Sequence, residues 1–170
     1  MTRMKIFLLA LLILGFVQCK PKKDPNRTYF ENAGKYNDFI YQEQQAVMNS
    51  FEVFAAAVNK NNPDSIRISY DAMTKRASES RSSVFKLAPF KGDTMFRYAA
   101  LDFFDFVNAA CNQELKEIRD LSTKDSVTEE DVKRINELSE VYTIQEKEKN
   151  QALIAAQEKF CQAFYVDLKN

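Results

Sequence analysis

The stretch MFRYAALDFFDFVNAACNQELKEI, residues 95–118, constrains the fold more than any other part of the chain. Phe96, Ala100, Phe103, Val107 and Ala110 fall on one line at three- and four-residue steps, and Leu101, Phe104, Cys111, Leu115 and Ile118 form a second line beside it. That spacing is helical. Two adjacent seams make an apolar face wide enough to bury against two neighbours. The pattern predicts a helix over 94–121 inside a bundle, with Asp93 as its cap.

Three further segments carry the same period. Over 28–61, Tyr36, Ile40, Val47, Phe51, Phe54 and Val58 form a stripe. "NNPD" ends it, and Pro63 suits the first position of a second helix capped by Asn62. That helix runs to Phe85 along Ile66, Tyr70, Met73, Ala77 and Val84. "KLAPFKGD", with Pro89 and Gly92, is a connection. In "STKDSVTEED", Thr128 and Asp131 have the spacing of a capping box. A last helix over 129–168 follows, apolar at Val132, Ile135, Leu138, Tyr142, Leu153, Ala156, Phe160 and Phe164 and polar over 143–151. Gly occurs only at 15, 34 and 92, which suits an all-α domain. Four helices joined by short loops alternate direction. The expected fold is an antiparallel up-down-up-down four-helix bundle over 28–170, with long first and last helices.

The chain begins differently, with MKIFLLALLILGFVQCKPKKD from residue 4. The apolar run over 6–17 is shorter than the about 20 residues a spanning helix needs. Arg3 and Lys5 precede it, as in a secretory signal. Phe16-Val17-Gln18-Cys19 ends it. This opening resembles a bacterial lipoprotein signal, in which a lipobox ends in the cysteine that is lipid-modified. Phe16 and Gln18 stand where such boxes usually carry Leu and a small residue. The resemblance implies a signal peptide over 1–18, a lipidated Cys19 heading a tether over 19–27, and anchoring to the outer membrane of a bacterial envelope, on its periplasmic face or at the cell surface. Two prolines keep "KPKKDPNR" extended, and its lysines would favour anionic headgroups or serve as plain solvated linker. Together with "KYNDFIYQEQ" and "FRYAALDFFDF", the pattern is similar to uncharacterised helical surface lipoproteins of spirochaetes and Bacteroidota.

Composition excludes several chemistries. There is no His, which removes His-based acid–base catalysis, Ser-His and Cys-His nucleophile pairs and the Glu-x-x-His ligands of a di-iron bundle. A glycine-rich phosphate loop has no glycines to form it. Lys and Arg number 24 against 24 Asp and Glu; without Arg3 and Lys5 the balance is slightly acidic, so a nucleic-acid partner is not expected. Glu129, Glu130 and Asp131 read as acids favoured at a helix N-terminus. No metal or cofactor is expected.

Three candidates remain. Glu43 lies on the apolar stripe of the first helix, and levelling the helices places it opposite Ser80–Arg81, Phe106 and Ile144. A Glu on a core face needs a partner, so a polar layer of Glu43, Arg81, Gln145 and Lys147 is expected, either fixing helix register or binding a ligand. Cys111 and Cys161 would lie roughly 33 Å apart in straight helices, too far for a disulfide, and read as free buried thiols. Phe85, Phe90 and Phe96 cluster around the 86–93 loop, either as core or as an apolar pocket. The expected function is non-enzymatic: an envelope lipoprotein acting as an interaction or structural module for a protein partner, or alternatively a binder of a small apolar ligand or lipid in the bundle core.

Overall fold

The computed structural model describes residues 23–167. The segment containing the apolar run and Cys19 lies outside the described residues. Five helices follow in order: α1 Ala33–Asn59, α2 Pro63–Phe85, α3 Met95–Asn112, α4 Glu114–Ser122 and α5 Glu129–Phe164. The chain is all-α. α1 packs on α2, α2 on α3, and α5 lies against both α3 and α4, so α3 and α4 together form the third leg of a four-legged antiparallel bundle.

The boundaries follow local chemistry. Asn62 accepts from the Ser65 amide (2.9 Å) with Pro63 at the first helical position. Thr128 and Asp131 form the expected capping box: Thr128 Oγ1 accepts from the Asp131 amide (3.2 Å), and the Thr128 amide donates to Asp131 Oδ2 (3.0 Å). Acids at Glu129, Glu130 and Asp131 then complement the positive end of the α5 dipole.

Three boundaries differ from the sequence expectation. The first helix starts at Ala33, because Asn32 Oδ1 accepts from the Lys35 amide (3.1 Å) and sets the cap there. The residues before it instead form a non-helical strap, with a turn over 24–27 closed by the Arg27 amide donating to the Asp24 carbonyl (3.1 Å). Thr28 pairs with Leu87 through Thr28 N–H to Lys86 O (2.8 Å) and Ala88 N–H to Thr28 O (2.9 Å). The single helix expected over 94–121 is broken at Gln113, whose backbone (φ −122, ψ −96) is not helical. A break strips carbonyls of their donors one turn on, and the Tyr70 hydroxyl donates to the Cys111 carbonyl there. α5 also ends four residues short of the expected 168, at Phe164, with Tyr165 left-handed (φ 54).

The core runs the length of the bundle. Val47, Phe54, Ile66, Met73, Ala77, Phe103, Phe104, Val107, Leu115 and Leu153 are buried. At the end where the strap joins, aromatic rings close the core. Phe160 lies 5.4 Å from Tyr36, 5.7 Å from Phe90, 5.2 Å from Phe96 and 4.8 Å from Phe164, centroid to centroid. Phe30 of the strap reaches Tyr36 (5.9 Å) and Phe39 (5.4 Å). The strap is therefore packed onto the bundle as well as hydrogen-bonded to it. No described helix is long and apolar enough to cross a membrane.

Candidate functional site

The expected polar layer is only partly assembled. Glu43 is half-buried, and its partner is Ser80, whose Oγ donates to Glu43 Oε2 at 2.7 Å. Arg81, one residue on, turns away to Asp105 of α3. Gln145 and Lys147 are exposed on α5 and do not join Glu43. The levelling holds between α1 and α2 and, counted across the loop at 125, between the third leg and α5, where Asp102 meets Lys149 and Glu117 meets Arg134. It fails between α1 and α5, where Gln44 meets Asn150, about two turns from the expected level.

The polar contacts between α1 and α5 lie elsewhere. Gln44 Nε2 donates to Asn150 Oδ1 (2.6 Å), and Gln157 Nε2 donates to Asn37 Oδ1 (2.8 Å). Cys161 Sγ also points at Asn37 Oδ1, at 3.5 Å. Asn37 and Gln44 are buried amides on the core edge of α1. Both pairs are spaced by seven residues on each helix, two turns apart, so they form a two-rung ladder that sets the register of α1 against α5. The spacing is visible in the sequence; reading only the apolar stripe passes over it.

Burial raises the thiols and phenols of the core. Cys111 and Cys161 are free and buried. Burial pushes the Cys111 thiol up to about 11, against a weaker downward pull from a Thr74 hydrogen bond, so the nucleophilic thiolate is scarce at neutral pH. Burial also raises the Cys161 thiol. It lifts the Tyr36 phenol to about 12, partly offset by the nearby Arg97 charge. Tyr142, sandwiched between Phe51 (4.7 Å) and Phe106 (5.7 Å), is raised by burial and by the Glu146 carboxylate. Glu146 is itself raised by burial, and its Oε1 has no hydrogen-bond partner among the described residues.

Phe85, Phe90 and Phe96 do not wall a common cavity. Phe90 and Phe96 are buried within the aromatic cluster, Phe90 because the turn at Lys91 and Gly92 (φ 48 and 89) folds the loop back onto Phe160 and Phe164. Gly92 takes that left-handed conformation without steric cost. Phe85 faces outward, half exposed (50 %), with the guanidiniums of Arg27, Arg81 and Arg97 at 5.6, 5.6 and 5.8 Å from its ring. Arg27 and Arg97 also donate to the last carbonyls of α2. Arg27 Nη1 reaches Phe85 O (2.8 Å) and Leu87 O (3.2 Å), and Arg97 Nη2 reaches Phe85 O (2.7 Å). Cations at a helix C-terminus oppose its negative dipole end, which explains how Arg97 is tolerated at 5 % exposure.

A cleft of about 300 Å³ opens at the opposite end, between α1 and α5, with α4 as its floor. Phe51, Phe54, Val58, Leu115, Ile118 and Tyr142 supply apolar walls, and Asn59, Asn136, Ser139 and Thr143 are its polar members. A second, separate cleft beyond Ile135 is lined by Val127 and Ser122, whose buried hydroxyl has no partner among the described residues. Sequence reasoning missed this cleft, since its apolar residues look like ordinary core positions. No group of three or more His, Cys, Asp or Glu among the described residues is placed to hold a metal ion. No protein-family model, curated protein or solved structure matches the chain.

Proposed function

We propose that this chain is a lipid-anchored, non-enzymatic module of a bacterial envelope, presenting a helical bundle to a partner from the membrane surface. The observation that carries the reading is the strap. The chain leaves the apolar run at Cys19 and, within a few residues, is paired to the bundle at Thr28 and Leu87. The bundle would thus hang from one defined end, with the cleft between α1 and α5 held away from the membrane. Two or more acyl chains on Cys19 make such anchoring stable, where one alone would be marginal. The raised thiols and phenols support a non-enzymatic role. The test is Cys19→Ala in a bacterium that processes lipoproteins. The unaltered chain should partition into the detergent phase with the membranes, and the variant should not be acylated. Equal acylation of both would refute the reading.

A second reading has its own support. The cleft is within the lower range of small-ligand sites and is lined mostly by aromatic and aliphatic side chains, with Asn59, Asn136, Ser139 and Thr143 among its walls. It suits a small apolar ligand with one hydrogen-bonding group. Titration with the apolar fluorophore N-phenyl-1-naphthylamine should show saturable enhancement that Ala55→Phe, which fills the cleft, abolishes. An unchanged titration in that variant would place any binding elsewhere.

A further inference from the structure

The end of the bundle that receives the strap differs in charge from the rest of the molecule. Segments 20–35 and 86–97 carry eight Lys and Arg against three Asp and Glu, whereas the remainder of 19–170 carries fourteen against twenty-one. The chain as a whole is neutral by count, so this is a separation of charge and not an excess. Asp38, Glu158 and Asp167 are acids of the same end, and they belong to α1 and to the C-terminal end of α5 and the residues after it. The basic residues gather on the strap, the α2 terminus and the loop into α3. Lys23, Arg27, Lys86, Lys91 and Arg97 have no ion-pair partner among the described residues.

Exposed apolar side chains are interleaved with these cations. Phe85 is half exposed among three guanidiniums, Tyr98 is 58 % exposed with Arg97 5.5 Å from its ring, and Tyr29 is partly exposed under Lys23 at 5.2 Å. Aromatic rings with basic neighbours favour a bilayer interface, where the ring sits among the headgroups and the cation meets lipid phosphate. Chain length places this surface there. Lys23 is only four positions after Cys19, a reach of at most about 14 Å. An acylated Cys19 therefore holds the patch within one or two Debye lengths of the surface, where each cation still feels the membrane charge.

We propose that the face built by Lys23, Arg27, Phe85, Lys86, Lys91 and Tyr98 docks on an anionic lipid surface, fixing the bundle upright with α2 and α3 leading into the headgroups. The proposal rests on the tether reading for its local concentration, and its test separates the two. The protein has no Trp, so Phe85→Trp gives a single tryptophan, selectively excited at the red edge, at the centre of the patch. The full-length variant is mixed with vesicles of phosphatidylcholine alone or with about one-third phosphatidylglycerol, some containing brominated acyl chains. The expected result is flotation with both vesicles, with a blue shift and bromine quenching only on the anionic ones, reversed by high salt. Neutralising Lys23, Lys86 and Lys91 to Gln, Gln and Asn, all at exposed positions, should weaken the docked state about fivefold per residue without loss of flotation. Flotation with identical Trp emission on neutral and anionic vesicles would overturn the docking and leave the tether standing. Flotation on anionic vesicles alone would support docking and overturn the tether. Flotation on neither would overturn both.

Discussion

Phe160→Ala tests whether the strap end of the bundle is a packed core. The ring is 2 % exposed and touches four other rings, from α1, the 86–94 loop, α3 and α5 itself. Truncation removes the transfer free energy of the ring and leaves a cavity whose lining is itself aromatic and hard to collapse. Phe→Ala changes in such sites cost about 3–5 kcal/mol. Four ring neighbours from separate elements place this site in the upper half, at about 4 kcal/mol. For a domain of this size 1 kcal/mol shifts Tm by about 2–4 °C, so the loss should be about 10–15 °C. Urea unfolding followed by circular dichroism gives the value directly, with the slope unchanged if both variants unfold in one step. A cost below about 2 kcal/mol would refute the reasoning, because it would mean that Phe160 is not enclosed or that its neighbours close over the gap. Phe164→Ala is the companion: the residue is only half-buried and should cost clearly less.

Other perturbations probe the polar contacts. Asn37→Ala removes the acceptor shared by Gln157 and Cys161 and should cost about 1–3 kcal/mol by stranding the Gln157 amide; pairing it with Gln157→Leu should recover much of that loss, read from the same urea curves. Asp131 is held down at about 2 by Lys124 and by the Thr128 amide and hydroxyl. Its folded value lies below its unfolded one, so its contribution is full above about pH 4. That contribution fades as the pH falls towards about 2. Asp131→Asn should therefore lower the urea midpoint at pH 6 and make little difference at the acid end. Glu146 works in the opposite sense, because burial raises its carboxyl: stability is lost as pH rises through its titration. Glu146→Gln should stabilise the protein at pH 7 and lose that advantage as the pH falls and the carboxyl is protonated, as followed by thermal melts.

Much of the bundle was legible because its signals are local. Asn62-Pro63 and Thr128 with Asp131 mark helix starts by side-chain chemistry that acts within one turn, and the structure uses both as caps. The facing of Glu43 and Ser80 followed from a tight turn, across which residue counting is accurate. The break at Gln113 was hidden, since no Gly or Pro marks it and both apolar seams continue through it to Leu115 and Ile118. Gln145 and Lys147 miss Glu43 because counting through loops levels consecutive legs only: the third leg and α5 pair as counted, while α1 and α5 are offset and Asn150 lies beside Gln44. Residues 28–32 hold no Pro or Gly to keep them out of the helix, and the Asn32 cap that excludes them is a single side chain. For the aromatics, periodicity identified core positions but could not tell that Phe90 turns inward and Phe85 outward. That depends on the left-handed pair Lys91–Gly92.

Anchoring of the bundle depends on Cys19, and the intact mass of the protein extracted from the membranes of its native host tests it most directly. The prediction is the mass of residues 19–170 plus a diacylglyceryl group, with or without an added N-acyl chain. After unfolding without reductant, Cys111 and Cys161 should both accept an alkylating agent, as free thiols do. A mass that retains residues 1–18 and carries no lipid would contradict the account, and the basic, aromatic end of the bundle would then have no tether to hold it at a membrane.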